Sequence, residues 1–374
     1  MDITGAVLRT MGTPGPCART RPARTRPLSI EHLELDPPQQ DEILVKVTAS
    51  GICHSDLSVV NGSRPRPMPM LLGHETTGIV QALGPGVEDL KVGQHVTLAF
   101  LPRCGKCANC LTGGRLPCTP GSKANQAGTL MNGGIRIHKG PERIYHHVGV
   151  SGFATYAVVD RRSAVPVPEE LPSAIAAVLG CAVLAGGGAV LNAADPQDGE
   201  DVMVVGLGGV GMSALLTAAA LGRGRVIGVD RNKDKFNDAL GMGATDVYTV
   251  DEALSKGIKT PIVIEAAGAP GVLDQAFELT DIGGKTITVG FPDPSVRASL
   301  PSSVITGEAR TVIGSYLGSA VPAQDIPRYA RLWLDGKLPV EKLISNHIRL
   351  DDINEAMDDL DRGQALRQII EFDS

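Results

Sequence analysis

The run GICHSDLSVVNG, residues 51–62, places Cys53 beside His54 and follows them with Ser55 and Asp56. Both Cys53 and His54 can ligate a metal, yet adjacent residues rarely point into one coordination sphere, so one of them needs another task. Further ligand types occur at His74 and Glu75 in GHE and at Cys181 in GCAVLAG. Cys53, His74 and Cys181 together make the Cys2His set of a catalytic zinc, which keeps a fourth position open. Spacing alone leaves this grouping undecided. The three lie far apart in the chain, and a buried structural cysteine is the ordinary reading of Cys181.

A second group is compact. CGKCANCLTGGRLPC places Cys104, Cys107, Cys110 and Cys118 at C-x2-C-x2-C-x7-C. Four thiolates from one loop suit a closed tetrahedral zinc site of structural type. The rival is an iron–sulfur cluster, whose bacterial pattern shares the first spacings but ends in C-x3-C-P. Here the last gap is seven and Thr119 follows Cys118, which favours zinc.

VMVVGLGGVG supplies Gly206, Gly208 and Gly211 as G-x-G-x-x-G, with Gly209 and Val210 between them. The motif follows an apolar strand, opens a helix and precedes Asp230, which ends the next strand 19 residues past Gly211. That context is the dinucleotide fingerprint, in which free N–H groups at a helix start receive the pyrophosphate. Asp230 would accept from the adenosine ribose hydroxyls and repel a 2′-phosphate, favouring NAD over NADP. Arg231 is a contrary signal, since an arginine there can hold that phosphate.

The elements around these groups change character along the chain. Short β-like runs separated by glycine and proline (43–49, 77–83, 95–100, 153–159) predict an irregular barrel-like β domain with functional loops. From Asp201 apolar strands alternate with helices, which predicts a parallel sheet covered on both faces. The closing LRQIIEF predicts a strand that returns to the first domain. Residues 174–194 are uncharged over a membrane-helix length, but four glycines and the following DPQDGED point to a buried helix at a domain junction.

At 374 residues two domains are expected. A formal charge of −6 argues against general nucleic-acid binding. The one basic cluster, ARTRPARTRP at 18–27, reads as a solvated surface loop, with an anion or partner site as the alternative. Seven cysteines, four of them clustered, fit metal ligation in a reducing compartment. Met1–Thr10 lacks the basic start and apolar core of a signal peptide. A soluble cytoplasmic protein, with no nucleic-acid or membrane partner, is the expectation.

GICHSD, GHE, the four-cysteine lobe, GCAVLAG, GLGGVG and VIGVDRNKDKF stand in the order and spacing of zinc-dependent medium-chain alcohol dehydrogenases. The resemblance spans nearly the whole chain and is nearest the liver-type class. It implies an α/β protein: a split GroES-like irregular β-barrel catalytic domain (1–181 and 317–374, with the zinc lobe near 102–120) and a Rossmann doubly wound sheet (182–316). It also implies NAD and two zinc ions per chain. Cys53, His74 and Cys181 then take the catalytic zinc, and Cys104, Cys107, Cys110 and Cys118 the structural one. His54 turns to the NAD pyrophosphate with Arg367, Lys235 matches a lysine near the adenosine ribose, and Val289 falls among the cofactor contacts. Asp56 resembles the carboxylate that orients the ligand histidine, and Glu75 the carboxylate beside the zinc.

The implied reaction is reversible oxidation of an alcohol to an aldehyde or ketone. Zinc would lower the alcohol's pKa, Ser55 would accept the hydroxyl proton, and nicotinamide would take the hydride. Relatives often carry a histidine where this chain has Ser58; serine stores no proton near neutrality, so the usual proton exit is in doubt. Ser55, Phe100, His147 and Val148 match substrate-lining positions. Arg64 stands where the liver-type enzyme is apolar; it would either favour acidic substrates or snorkel to water. A long stretch from Cys118 to His146 and the edge-strand-like ARTVIGSYLG (309–318) suggest a homodimer, with a tetramer as the alternative. Two further readings stay open: a dehydrogenase of the formaldehyde–thiol adduct, and a non-catalytic NAD- and zinc-binding relative.

Overall fold

The computed structural model describes residues 1–12 and 26–372. Cys17 and most of the 18–27 cluster fall outside them. The chain divides into two compact units: Met1–Cys181 with Val321–Arg331 and Ile344–Ser374, and Ala182–Ala320 with Leu332–Leu343.

In the first unit the strands Asp2–Leu8, Leu28–Leu35, Ile137–Lys139, Glu142–His146 and Met70–Leu71 close a small barrel. Val7, Leu33, Leu71, Leu130 and Ile144 form part of one buried cluster there. A larger sheet runs in the order Ala164–Pro166, His95–Leu98, Glu75–Leu83, Glu42–Ile52, Arg367–Glu371, Ile344–Ile348, with Tyr156–Asp160 also on Glu42–Ile52. Strand Glu42–Ile52 alternates buried and half-buried side chains before its last residues become wholly buried, as a strand covered along one face and enclosed at its end must. The closing LRQIIEF does return, pairing Gln368 with Ile52 and Ile369 with Gly51.

This register decides where the chemistry collects. Gly51 lies opposite Glu75 on one side and Ile369 on the other, so the end of one strand meets the starts of two others. Cys53 follows the first of these strands, His74 precedes and Glu75 begins the second, and Arg367 begins the third, so the four share one edge.

The second unit holds a six-stranded sheet in which every neighbouring pair is parallel. Its order is Asp246–Tyr248, Val226–Val229, Val202–Val205, Thr260–Glu265, Thr280–Thr288, Thr311–Gly314. In chain order this is 3-2-1-4-5-6, the Rossmann arrangement, whose reversal point lies at the first strand. Helix Gly209–Leu221 follows that strand and ends at Gly222 in the left-handed conformation.

The tail divides differently from the sequence expectation. Residues 317–320 and Leu332–Leu343 belong with the second unit instead of the first. The backbone of Gly318 lies so close to Gly188 that a Cβ on Gly188 would stand 2.4 Å from the Gly318 carbonyl oxygen. Lys342 Nζ donates to the Gly241 carbonyl at 2.7 Å. These contacts draw the two short pieces away from the split domain's remaining tail.

Helix Ser173–Ala194 is long and apolar enough to cross a membrane by length and composition, but 94% of its most apolar window is buried inside the protein. It contains two wide-turn stretches, Leu179–Val183 and Ala189–Ala194. Such turns place side chains off the regular helical face and occur often at functional sites. Cys181 sits in the first.

Candidate active site

Cys53 ends the central strand's continuation and opens helix His54–Val60. Its backbone N–H donates to Asp56 Oδ2 at 3.0 Å, so Asp56 secures the helix start while its other oxygen stays available. Asp56 Oδ1 lies 3.0 Å from His74 Nδ1. With Nδ1 engaged there, Nε2 faces the other way, 3.5 Å from Cys181 Sγ. Cys53, His74, Glu75 and Cys181 each bring one ligand atom to within 4.8 Å of the others, and all four residues are buried.

Zinc bonds of about 2.0 Å to nitrogen and about 2.3 Å to sulfur put tetrahedral ligands roughly 3.5 Å apart. The Cys181–His74 separation matches that edge. Among the described residues both buried Glu75 oxygens find no hydrogen bond, although Arg367 Nε stands 3.0 Å from Oε2, out of line for one. Arg367 Nη2 reaches Cys53 Sγ at 3.7 Å. Gly51 leaves the room this needs, because a Cβ there would lie 2.6 Å from Glu75 Oε2. The donor set fits zinc.

The electrostatics agree. The Cys181 thiol, followed by Arg367 and His74, holds Cys53 well below the usual thiol range in spite of burial. The Cys53 sulfur and burial push Cys181 well above it. Burial disfavours a charged His74, but Asp56 and Cys53 outweigh this and raise it well above its ordinary value. Burial lifts Glu75 to about 7, against the pull of Arg367. The surroundings thus favour the charged form of Cys53 and disfavour that of Cys181.

In the second cluster Cys104, Cys107, Cys110 and Cys118 bring their sulfurs within 4.8 Å of one another. Cys104 and Cys110 stand 4.0 Å apart, near the tetrahedral S–S edge of about 3.8 Å. Backbone N–H groups of Cys104 and Cys107 point at Cys118 and Cys104 sulfurs, both at 3.3 Å. Donors from the Cys110 and Thr119 backbones lower Cys107 to about 6, whereas burial pushes Cys110 up to about 12. The short helix Ala108–Leu111 buries no residue, and Leu111 is 72% exposed. A lobe this poor in core needs a cross-link, which a four-thiolate metal provides.

In the second unit Gly206 has φ +98°, and a Cβ on Gly211 would stand 1.8 Å from the Gly206 carbonyl oxygen. Gly208 differs: a Cβ there meets nothing within 4 Å among the described residues, so they leave open space above the turn at the helix N-terminus, followed by Gly209 and Val210. This is the cradle a pyrophosphate requires. Asp230 Oδ2 accepts from Leu207 N at 2.7 Å and lies 3.1 Å from Lys235 Nζ, while Oδ1 accepts from Asn232 N at 2.9 Å. It thus braces the glycine turn.

The remaining candidates fall around these centres. His54 is exposed and Ser55 half-buried on the helix that Cys53 opens. Ser58 Oγ donates to the His54 carbonyl at 2.9 Å, a bond within the helix. Phe100 and His147 each meet the His74 ring edge-on, with centroids 5.6 and 5.3 Å away. Val148 has φ +44°, a strained conformation for a β-branched residue. Arg64 is half-buried and its N–H donates to the Ser58 carbonyl at 2.9 Å. Val289 N bonds to the Glu265 carbonyl at 2.9 Å.

Sequence reasoning passed over Glu265. This buried carboxylate accepts from Ala267 N, Gly268 N and Thr288 Oγ1, fixing the loop after its strand. An acidic residue ending the apolar run PIVIE was the available signal.

Two family domains match the chain: the alcohol dehydrogenase GroES-like domain over residues 39–169 and the zinc-binding dehydrogenase domain over 209–334. Alcohol dehydrogenase B of Mycobacterium tuberculosis is 32% identical over 358 residues, covering 93% of this chain and 96% of that protein. The chain belongs to the zinc-dependent medium-chain alcohol dehydrogenase family. Another relative, the NDMA-dependent alcohol dehydrogenase of Amycolatopsis methanolica, is 33% identical over 355 residues, or 92% of this chain and 95% of its own. The crystal structure of benzyl alcohol dehydrogenase from Acinetobacter calcoaceticus superposes with a TM-score of 0.89 at 32% identity, covering each chain completely. The family's GroES-like and Rossmann-type architecture is the one described above, and its members are oxidoreductases.

Proposed function

We propose that this alcohol dehydrogenase family member oxidises alcohols reversibly to aldehydes or ketones, with NAD as hydride acceptor and two zinc ions per chain. The convergence of Cys53, His74 and Cys181 on one buried point carries this reading. Bound zinc supplies a Lewis acid and bound NAD a hydride acceptor.

The chain's own groups do the rest. Cys53, His74 and Cys181 would hold the catalytic metal, with Glu75 beside them and Asp56 fixing the His74 tautomer. Ser55, the second residue of the helix that Cys53 opens, would take the alcohol's hydroxyl proton while passing its own to the nicotinamide ribose. Ser58 keeps its hydrogen bond to the His54 carbonyl and stores no proton. Phe100, His147 and Val148 border the alcohol, with Arg64 at the pocket's outer side. Gly206, Gly208, Gly209, Val210 and Gly211 receive the pyrophosphate, aided by His54 and Arg367. Asp230 and Lys235 take the ribose, and Asp230 disfavours a 2′-phosphate. Val289 completes the cofactor contacts. Six free cysteines among the described residues suit a reducing cytoplasm. Strand Thr311–Gly314, at the sheet's edge with Val312 37% exposed, would pair with its copy in a homodimer.

A screen of primary, secondary, benzylic and terpenoid alcohols, following NADH absorbance, tests the reaction. Arms with an added low-molecular-weight thiol test the adduct reading, and arms with NDMA as acceptor follow from the Amycolatopsis relative. NADH formation on simple alcohols is the expected result. No turnover in any arm by protein carrying two zincs would overturn it in favour of a non-catalytic role.

A further inference from the structure

Asp56 Oδ1 serves two histidines. His74 Nδ1 lies 3.0 Å away and His147 Nδ1 3.1 Å away. The same oxygen also receives Gly73 N at 3.3 Å, while Oδ2 is taken by Cys53 N. All three side chains are buried, His147 at 2% exposure. His147 reaches Oδ1 off the straight hydrogen-bond line, and among the described residues no other partner meets its Nδ1. Its ring also packs edge-on against His74, at an interplanar angle of 86°.

We infer that His147 is a positioning residue that tempers the metal ligand His74 by competing for Asp56 Oδ1. The inference rests on the zinc reading of Cys53, His74 and Cys181. A carboxylate that accepts from a ligand histidine's far nitrogen raises the donor strength of the near one. An oxygen that a second imidazole nitrogen approaches to 3.1 Å, even off the hydrogen-bond line, gives less of its charge to the first. His147 therefore leaves His74 a weaker donor than an undivided Asp56 would make it, and a metal held by a weaker donor is the stronger Lewis acid. The edge-on ring contact keeps the His74 plane in place while this occurs. A pocket-lining role acts on substrate; this role acts on the metal before any substrate arrives, and the two are separable.

Full-length protein, His147→Phe and His147→Asn are loaded with Zn2+, and metal content is counted. The chelator concentration that extracts the Cys2His zinc is then compared without substrate, and Co2+ in that site is followed by its visible absorption. Phenylalanine keeps the ring and removes the N–H; asparagine can return an N–H near the Nδ1 position. His147→Phe should hold zinc on the order of 10-fold more tightly, the scale on which such outer partners act. Its cobalt bands should shift, and His147→Asn should restore wild-type values. Equal affinity and equal spectra in all three proteins would overturn the inference, as would equal metal loss in both variants, which would make His147 a packing residue only. A wild-type protein that binds one zinc instead of two would be a failure of the zinc reading itself.

Discussion

Glu75 and Arg367 form a buried ion pair, Nε to Oε2 at 3.0 Å, although 292 positions separate them in the chain. Side-chain exposures of 0% and 3% leave water no part in it. Glu75 begins one strand and Arg367 another, and strand Glu42–Ile52 lies between them in the sheet. Removing one partner of such a pair leaves an uncompensated buried charge. Arg367→Leu should therefore destabilise the protein by about 3–5 kcal/mol. Adding Glu75→Gln should recover most of the loss. Denaturant unfolding of the single and double variants checks this.

The four-cysteine lobe lacks a core, so its order depends on the metal. Cys104→Ser should reduce the zinc content from two ions to one. It should also open residues near 104–118 to limited proteolysis while the first unit's sheet stays folded. Metal analysis together with mapping of the cleavage sites is the measurement. Two retained zincs, or an uncut lobe, would count against the structural assignment.

His146 gives a pH signature. Burial, aided by Arg136 and His138, lowers it to about 3, and its Nε2 accepts from Arg136 N at 3.1 Å. The unfolded chain takes up this proton near pH 6.5, and the folded chain resists until about 3. The group's contribution is thus whole above about 6.5 and is lost as pH falls toward 3, reaching about 2 kcal/mol by pH 5. His146→Gln should flatten stability between pH 6.5 and 4. Urea midpoints across that range, with matched buffers, would show it.

Asp230 has two tasks, and one substitution should reveal both. Asp230→Ala removes the expected acceptor for the ribose and the brace on Leu207 N. NAD affinity should fall about 10- to 100-fold, the scale of hydrogen bonds to a charged group. NADP affinity should fall less or rise, since the repulsion is gone. Fluorescence titration with each nucleotide measures the ratio. An unchanged NAD-to-NADP preference would remove Asp230 as the selecting residue.

What was legible beforehand follows sequence distance. The four-cysteine lobe and the glycine turn each occupy one short stretch, so local spacing specifies their geometry before any long-range contact forms. Alternation of strands and helices after Asp201 announced the parallel sheet for the same reason. Cys53, His74 and Cys181 could be grouped only through family resemblance, because Cys181 stands 107 positions from His74 and spacing at that range carries no geometry.

Only the folded chain decided the remainder. The strand register that sets Gly51 between Glu75 and Ile369 assembles the metal edge, and long-range pairing alone determines that register. The sharing of Asp56 Oδ1 by His74 and His147, and the departure of Leu332–Leu343 to the second unit, have no local signature. Residue types along the chain determined which chemistry was available; packing determined which atoms meet, because contacts between distant segments exist only after the sheet has closed.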